Sequence, residues 1–300
     1  MGRWTLGRCS LLVPAVVVGA CSDADEPAGS EPITTPPVVE LFAAGAVSTE
    51  APEFATAFSL SSDTVWFNRT PPDRSQLDLF FSVRTPDGWS EGSVFPPLEG
   101  VAAIDPFVSF DGERLYFSSS LSGAGTLDGS FNLWWIALGE AAPTPTPMPA
   151  PINSDSSDVF NSFARDGRMV FSSRRDGVRA VYEVVGDEAR HIPLVEDGRS
   201  ASNPAIHPTG EILVFASAAE GDPPDLYVSC RSAQGWGAPV RLEEPINSPF
   251  TDFAPGFGPG YLYFTSERPG VSGAVPDGVR PPGDVYRTPV GPIERLCSGS

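Results

Sequence analysis

Lysine is missing from this chain. All 19 basic residues among its 300 are arginine, against 38 Asp and Glu, and the formal net charge is −19. That balance excludes binding to nucleic acid or to an anionic membrane by charge alone. The all-arginine usage reads as a compositional mark of a GC-rich genome. Only two histidines are present, His191 and His207, and no Cys-x-x-Cys or His-rich spacing exists to hold zinc. No long segment carries an apolar period of 3.6, whereas Gly at 30 and Pro at 33 are abundant. This combination favours short strands joined by turns over helices.

One strand pattern recurs instead. Leu115-Tyr116-Phe117-Ser118-Ser119 returns as Met169-Val170-Phe171-Ser172-Ser173, Leu213-Val214-Phe215-Ala216-Ser217 and Leu262-Tyr263-Phe264-Thr265-Ser266, with Val65-Trp66-Phe67-Asn68 as a weaker first copy. The phenylalanines at 67, 117, 171, 215 and 264 are 50, 54, 44 and 49 residues apart. Periods of about 40–50 residues mark propeller blades. The expectation is an all-β fold, a single β-propeller of five four-stranded blades, with six as the alternative. Asp111-Gly112 and Asp166-Gly167 give hairpin turns between the first two strands of their repeats. A third strand recurs at Asp78, Asn132, Arg179, Asp225 and Asp284. Pro37 to Phe42 looks like an outer strand without a blade of its own and is predicted to close the ring on blade five, in competition with Ile293 to Leu296. The proline-rich run Ala141 to Pro151 lacks ladder donors and is expected to skirt the edge of blade two.

The linkers repeat as well: Pro151-Ile152-Asn153-Ser154 precedes Asp158, and Pro245-Ile246-Asn247-Ser248 precedes Asp252. The run from Pro245 through Leu262-Tyr263-Phe264, Ser266, Arg268 and Gly283-Asp284-Val285-Tyr286 resembles the TolB-like propeller repeats. These occur in periplasmic TolB and in proteins carrying OmpA-like peptidoglycan-binding domains. The resemblance covers roughly residues 38–297 and implies a propeller of the cell envelope. It does not specify a partner, because such propellers scaffold many. No OmpA-like module follows the repeats, so a cell-wall contact is expected from the propeller itself or from a partner.

Residues 1–20 read as an export leader. Arg3 and Arg8 precede an apolar stretch from Leu11 to Val18, too short for a mature membrane span. Val18-Gly19-Ala20-Cys21 resembles a bacterial lipobox, which implies cleavage before Cys21 and lipidation of its sulfur. An ordinary secretory signal is the alternative. Loss of two arginines takes the charge from −19 to −21, since −19 − 2 = −21. Residues 21–37, acidic and rich in Pro, Ser and Thr, form a flexible tether, and 38–300 form the propeller. Ser22 after the cysteine implies the outer membrane by resemblance to lipoprotein sorting.

The face where the D–A and B–C loops emerge is the candidate binding face. Its expected members are Glu53, Asp105, Asp158, Asn203 and Asp252, one per blade around the channel, with Arg174, Arg175 and Arg268 beside them. Cys230 and Cys297 lie in adjacent blades and either pair as a disulfide or remain thiols. His207 stands just before an A–B turn and is expected to cap it. No catalytic set, metal site or cofactor is expected. The leading expectation is a monomeric, non-catalytic, lipid-anchored scaffold for an envelope protein or cell-wall component. The alternative is a propeller that binds or hydrolyses glycans with carboxylates at the channel mouth, which for a retaining mechanism stand about 5 Å apart.

Overall fold

The computed structural model describes residues 37–298 apart from 197 and 277. The leader, Cys21 and nearly all of the tether therefore lie outside the described residues. Among the described residues no helix is long and apolar enough to cross a membrane.

Five antiparallel sheets follow one another along the chain. In blade one, strand A is Glu53–Phe58, B is Thr64–Arg69 and C is Asp78–Thr85. The A strands of the remaining blades are Ala103–Val108, Asp158–Phe163, Arg199–Ile206 and Asp252–Gly258. Each is paired to a B strand that ends in the repeated serine-containing motif. The A strands contact one another in cyclic order, blade five returning to blade one, so the ring is closed. The phenylalanines of the five B strands are all fully buried, because a B strand is covered on both faces by neighbouring blades. That is why the motif reads as a continuous apolar run rather than an alternation.

Glu40–Leu41 supplies the outer strand of blade five, paired to Asp284–Pro289 with Glu40 opposite Arg287, and the two side chains form an ion pair at 2.9 Å. The first strand of the ring thus completes the last blade and leaves only a short outer edge there. The competing segment Ile293 to Leu296 lies instead in a short helix, Gly291–Cys297, with Ile293 buried. Ala141 to Pro151 departs from expectation in part: Thr146–Pro147 pairs with Trp134 and Trp135 as the outer strand of blade two. Two residues suffice, since an edge strand needs donors on only one side.

Every A strand carries the same irregularity. Its register slips by a bulge, and the residue at the slip has a left-handed backbone: Ala55, Asp105, Phe160, Asn203 and Ala254, with φ between 49° and 57°. Such angles are uncommon outside glycine, and for phenylalanine they require outside support. The support comes from the preceding blade. The residue after the buried phenylalanine accepts a hydrogen bond from the amide of the left-handed residue: Asn68 from Asp105 at 2.9 Å, Ser118 from Phe160 at 3.0 Å, Ser172 from Asn203 at 3.0 Å, and Thr265 from Ala55 at 3.3 Å. Blade four has Ala216 at this place, which offers no side-chain acceptor. Ala55, Phe160 and Ala254 pack together as a small buried cluster that plugs the axis.

Candidate functional site

The repeated linker is a clasp between blades. Asn153 accepts from the Leu133 amide and donates to the Leu133 and Met148 carbonyls, gripping strand C of blade two. Ser154 then donates through its amide and hydroxyl to Asp158, at 2.7 and 2.8 Å, and Arg175 donates to the other oxygen of Asp158 at 2.9 Å. Arg175 also donates to the carbonyls of Pro151 and Ile152, and stands 5.0 Å from the ring centres of Phe171 and Tyr182. Asn247, Ser248, Asp252 and Arg268 repeat this arrangement on Leu226 between blades four and five. These Asn, Ser, Asp and Arg types therefore serve backbone satisfaction and charge pairing in a water-poor seam.

A third clasp joins blade five to blade one in altered residues. Ser48 exchanges hydrogen bonds with Val285, Thr49 donates to Glu53, and Arg69 donates to Glu53 at 2.7 Å and to the carbonyls of Ala46 and Val47. Arg69 leaves strand B two residues earlier than Arg175 does in its blade, and the longer Glu53 makes up the reach. The side chains of Glu53, Asp158 and Asp252 have no exposed surface. Burial pushes Glu53 up to about 7, against the opposing pull of Thr49 and Arg69. The other two junctions bury Leu98 in one and Ile192 and Leu194 in the other, and are crossed by the Asn68–Asp105 and Ser172–Asn203 hydrogen bonds.

The five residues expected as one ring fall into two registers. Glu53, Asp158 and Asp252 stand opposite the end of strand B, while Asp105 and Asn203 stand two positions later, at the left-handed bulge. Asp105 is 7% exposed, accepts from Ser118 at 3.2 Å, and is pushed up to about 7 by burial. The charge of Arg179 opposes that shift, and one Arg179 nitrogen is buried without a hydrogen-bond partner. Asn203 accepts from Ser202 and is half-buried. Arg174 is exposed at the opening of its B–C loop.

The long B–C loop of blade five is anchored more firmly than its composition suggests. Buried Glu267 pairs with Arg280 at 2.5 Å and with Arg74 of blade one at 3.2 Å. Asp284, raised to about 6 by burial, accepts from the Val271 amide, and a side chain on Gly270 would collide with it. Between these loops lies an open cavity of about 400 Å³ bordered by Pro52, Pro72, Arg74, Arg280 and Pro281. Among the described residues no group of three or more His, Cys, Asp or Glu is placed to hold a metal ion. Cys230 and Cys297 form a disulfide with Cα atoms 5.3 Å apart, tying the terminal helix to strand C of blade four. His207 accepts from the Thr209 amide across the A–B turn of blade four and lies 3.5 Å from Glu294.

A second cavity, of about 220 Å³, opens on the opposite face, where the A–B turns emerge around the axis. Phe107, Phe163, Phe257 and Ile206 form its walls, and Asn161 and Arg165 reach it from blade three. Its apolar wall residues read simply as strand-end positions, and the one signal in the repeats for this face was Asn161, which stands where three other blades have proline.

No protein-family model matches the chain, and no curated protein does. Among solved structures it is similar to TolB from Acinetobacter baumannii, at 13% identity over 80% of this chain and 54% of that one, with a TM-score of 0.47. The chain thus spans about half the length of that protein. A thermostable family-43 glycoside hydrolase matches at 9% identity over 81% of this chain and 91% of its own, with a TM-score of 0.51. The β-propeller domain of the trilobed protease from Pyrococcus furiosus matches at 9% identity over 78% of each chain, with a TM-score of 0.43. At such identities likeness concerns fold alone. Strand order, blade-to-blade contacts and the closing N-terminal strand together define the chain as a five-bladed β-propeller.

Proposed function

We propose that this propeller is a non-catalytic, lipid-anchored protein of the cell envelope that presents its D–A and B–C loop face to a protein or cell-wall partner. The observation that carries the reading is the fate of its acids. Glu53, Asp158 and Asp252 are held inside blade clasps by Arg69, Arg175 and Arg268, with no surface left for a substrate. A glycosidase needs two carboxylates flanking the scissile bond, and these three are committed elsewhere. What the face offers instead is the proline- and arginine-bordered cavity between blades one and five, with Arg174 exposed on the B–C loop of blade three. The lipobox-like Cys21 and the acidic tether supply the address, with the outer membrane as the expected destination.

The test is photo-crosslinking in native envelopes from positions bordering this cavity, such as Ser272, compared with Ser59 on the opposite face. Saturable capture of one envelope component from Ser272 alone supports the reading. Turnover of an envelope glycan by the purified protein, abolished by Asp105→Asn or Glu53→Gln in a folded variant, overturns it.

A further inference from the structure

We infer that the cavity on the A–B-turn face binds a small aromatic carboxylate with a hydroxyl on its ring, a phenolic acid in chemical class. The site lies on the face opposite the proposed partner surface and does not depend on it.

Size and shape come first. The axis is plugged by Ala55, Phe160 and Ala254, so the cavity is a dead end and its occupant must terminate inside. An apolar cavity of about 150 Å³ holds a benzene ring. At about 220 Å³ this one has room for a ring and a short substituent. Its walls match that shape: Phe107 packs against Phe163 with ring centres 5.4 Å apart, and the edge of Phe257 meets His207 at 4.9 Å. Flat rings stack or meet edge-on against such walls.

The polar end is set by Asn161. Its place in strand A is occupied by Pro106, Pro204 and Pro255 in three blades and by Thr56 in blade one, the residues opposite the buried phenylalanines. Proline is at home there, since the channel edge of strand A needs no donor. Blade three alone puts an amide at this position. Asn161 is 3% exposed, and neither its oxygen nor its nitrogen has a hydrogen-bond partner. A buried amide without partners is unfavourable and demands an explanation. A phenolic hydroxyl both donates and accepts, so one such group satisfies both atoms of Asn161.

The outer end is set by Arg165. Its guanidinium lies 4.7 Å from the ring centre of Phe110 at the mouth and takes part in none of the ion pairs among the described residues. A carboxylate a few bonds from the ring meets it there.

The experiment is calorimetric titration of the mature protein with 3-(4-hydroxyphenyl)propionate, 3-phenylpropionate and 4-ethylphenol. Saturable one-to-one binding of the hydroxy acid is expected. Each of the other two, lacking one polar group, should bind roughly tenfold more weakly, the scale of one hydrogen bond to a charged or buried group. Arg165→Gln, an exposed change that leaves the fold intact, should lower the hydroxy acid to the level of 4-ethylphenol and leave 4-ethylphenol itself unchanged. Asn161→Leu, which keeps the volume and carries no polar side-chain atom, should erase the preference for the ring hydroxyl. Absence of saturable binding by all three compounds, or binding indifferent to Arg165→Gln, overturns the proposal. A short peptide ending in tyrosine separates the two sources of this chemistry. Tighter binding of the free acid supports the assignment, and peptide binding more than tenfold tighter replaces it with capture of a chain terminus.

Discussion

Replacing Asp105 with Asn isolates the energetic consequence of a buried, uncompensated carboxylate. Asp105 is 7% exposed, accepts a hydrogen bond from the Ser118 hydroxyl, and has the charge of Arg179 in its surroundings. Burial raises it from 3.8 to about 7. Because the folded-state value lies above the unfolded one, the folded protein holds the extra proton between them. The stability from this group is complete below about pH 3.8 and is lost as pH rises through about 7. At about 1.4 kcal/mol per unit, the loss is ~2 kcal/mol at pH 5 and ~4 kcal/mol at pH 8. Asparagine keeps the shape and accepts the left-handed backbone, as Asn203 does at the same position in blade four. Asp105→Asn removes the titration, so its advantage over the wild type should grow by roughly 2–3 kcal/mol between those two pH values. Urea unfolding of both proteins at each pH measures this, and any constant effect of the swap cancels. A difference that does not change between pH 5 and pH 8 would refute the reasoning and show Asp105 ionised and well compensated, with Arg179 as its counter-charge.

The other contacts give equally direct expectations. Arg268→Met strands the unexposed Asp252 carboxylate and should cost about 3 kcal/mol, the low end for breaking a buried pair because Arg268 keeps some exposure; adding Asp252→Asn should recover part of it in urea melts. Ala216→Ser supplies the one acceptor missing from the ring of inter-blade bonds and should stabilise by about 1 kcal/mol, read as a Tm rise of about 2–4 °C. Reducing the Cys230–Cys297 bond, which closes a 67-residue separation around blade five, should cost about 4 kcal/mol; a Cys230→Ser, Cys297→Ser variant should show the same loss in reductant-free buffer.

The architecture was legible wherever burial on two faces left no choice of residue. The B-strand motif is such a place, and so is the Pro-Ile-Asn-Ser linker, whose asparagine must satisfy three backbone groups at once. Its first copy escaped notice because Ala46-Val47-Ser48-Thr49 does the same work with smaller side chains and a longer acid, Glu53. The left-handed ring was illegible for a different reason. Ala, Asp, Phe, Asn and Ala share no local propensity for positive φ, and the conformation is imposed by an acceptor in the neighbouring blade. Aligning blades by their acids merged Asp105 and Asn203 with Glu53, Asp158 and Asp252, although they sit two positions apart in register. The sequence marked charged residues on the loop face but could not say that most were spent within it. Asn161 did carry a signal, an amide where three other repeats have proline.

The measurement closest to the central claim is the intact mass of the native protein recovered from membrane and soluble fractions, with and without inhibition of the lipoprotein signal peptidase. The account predicts a membrane-bound species that begins at Cys21 and carries a diacylglyceryl or triacyl modification, with the uncleaved precursor accumulating under inhibition. A soluble protein cleaved elsewhere, with Cys21 absent or unmodified and processing indifferent to the inhibitor, would contradict it.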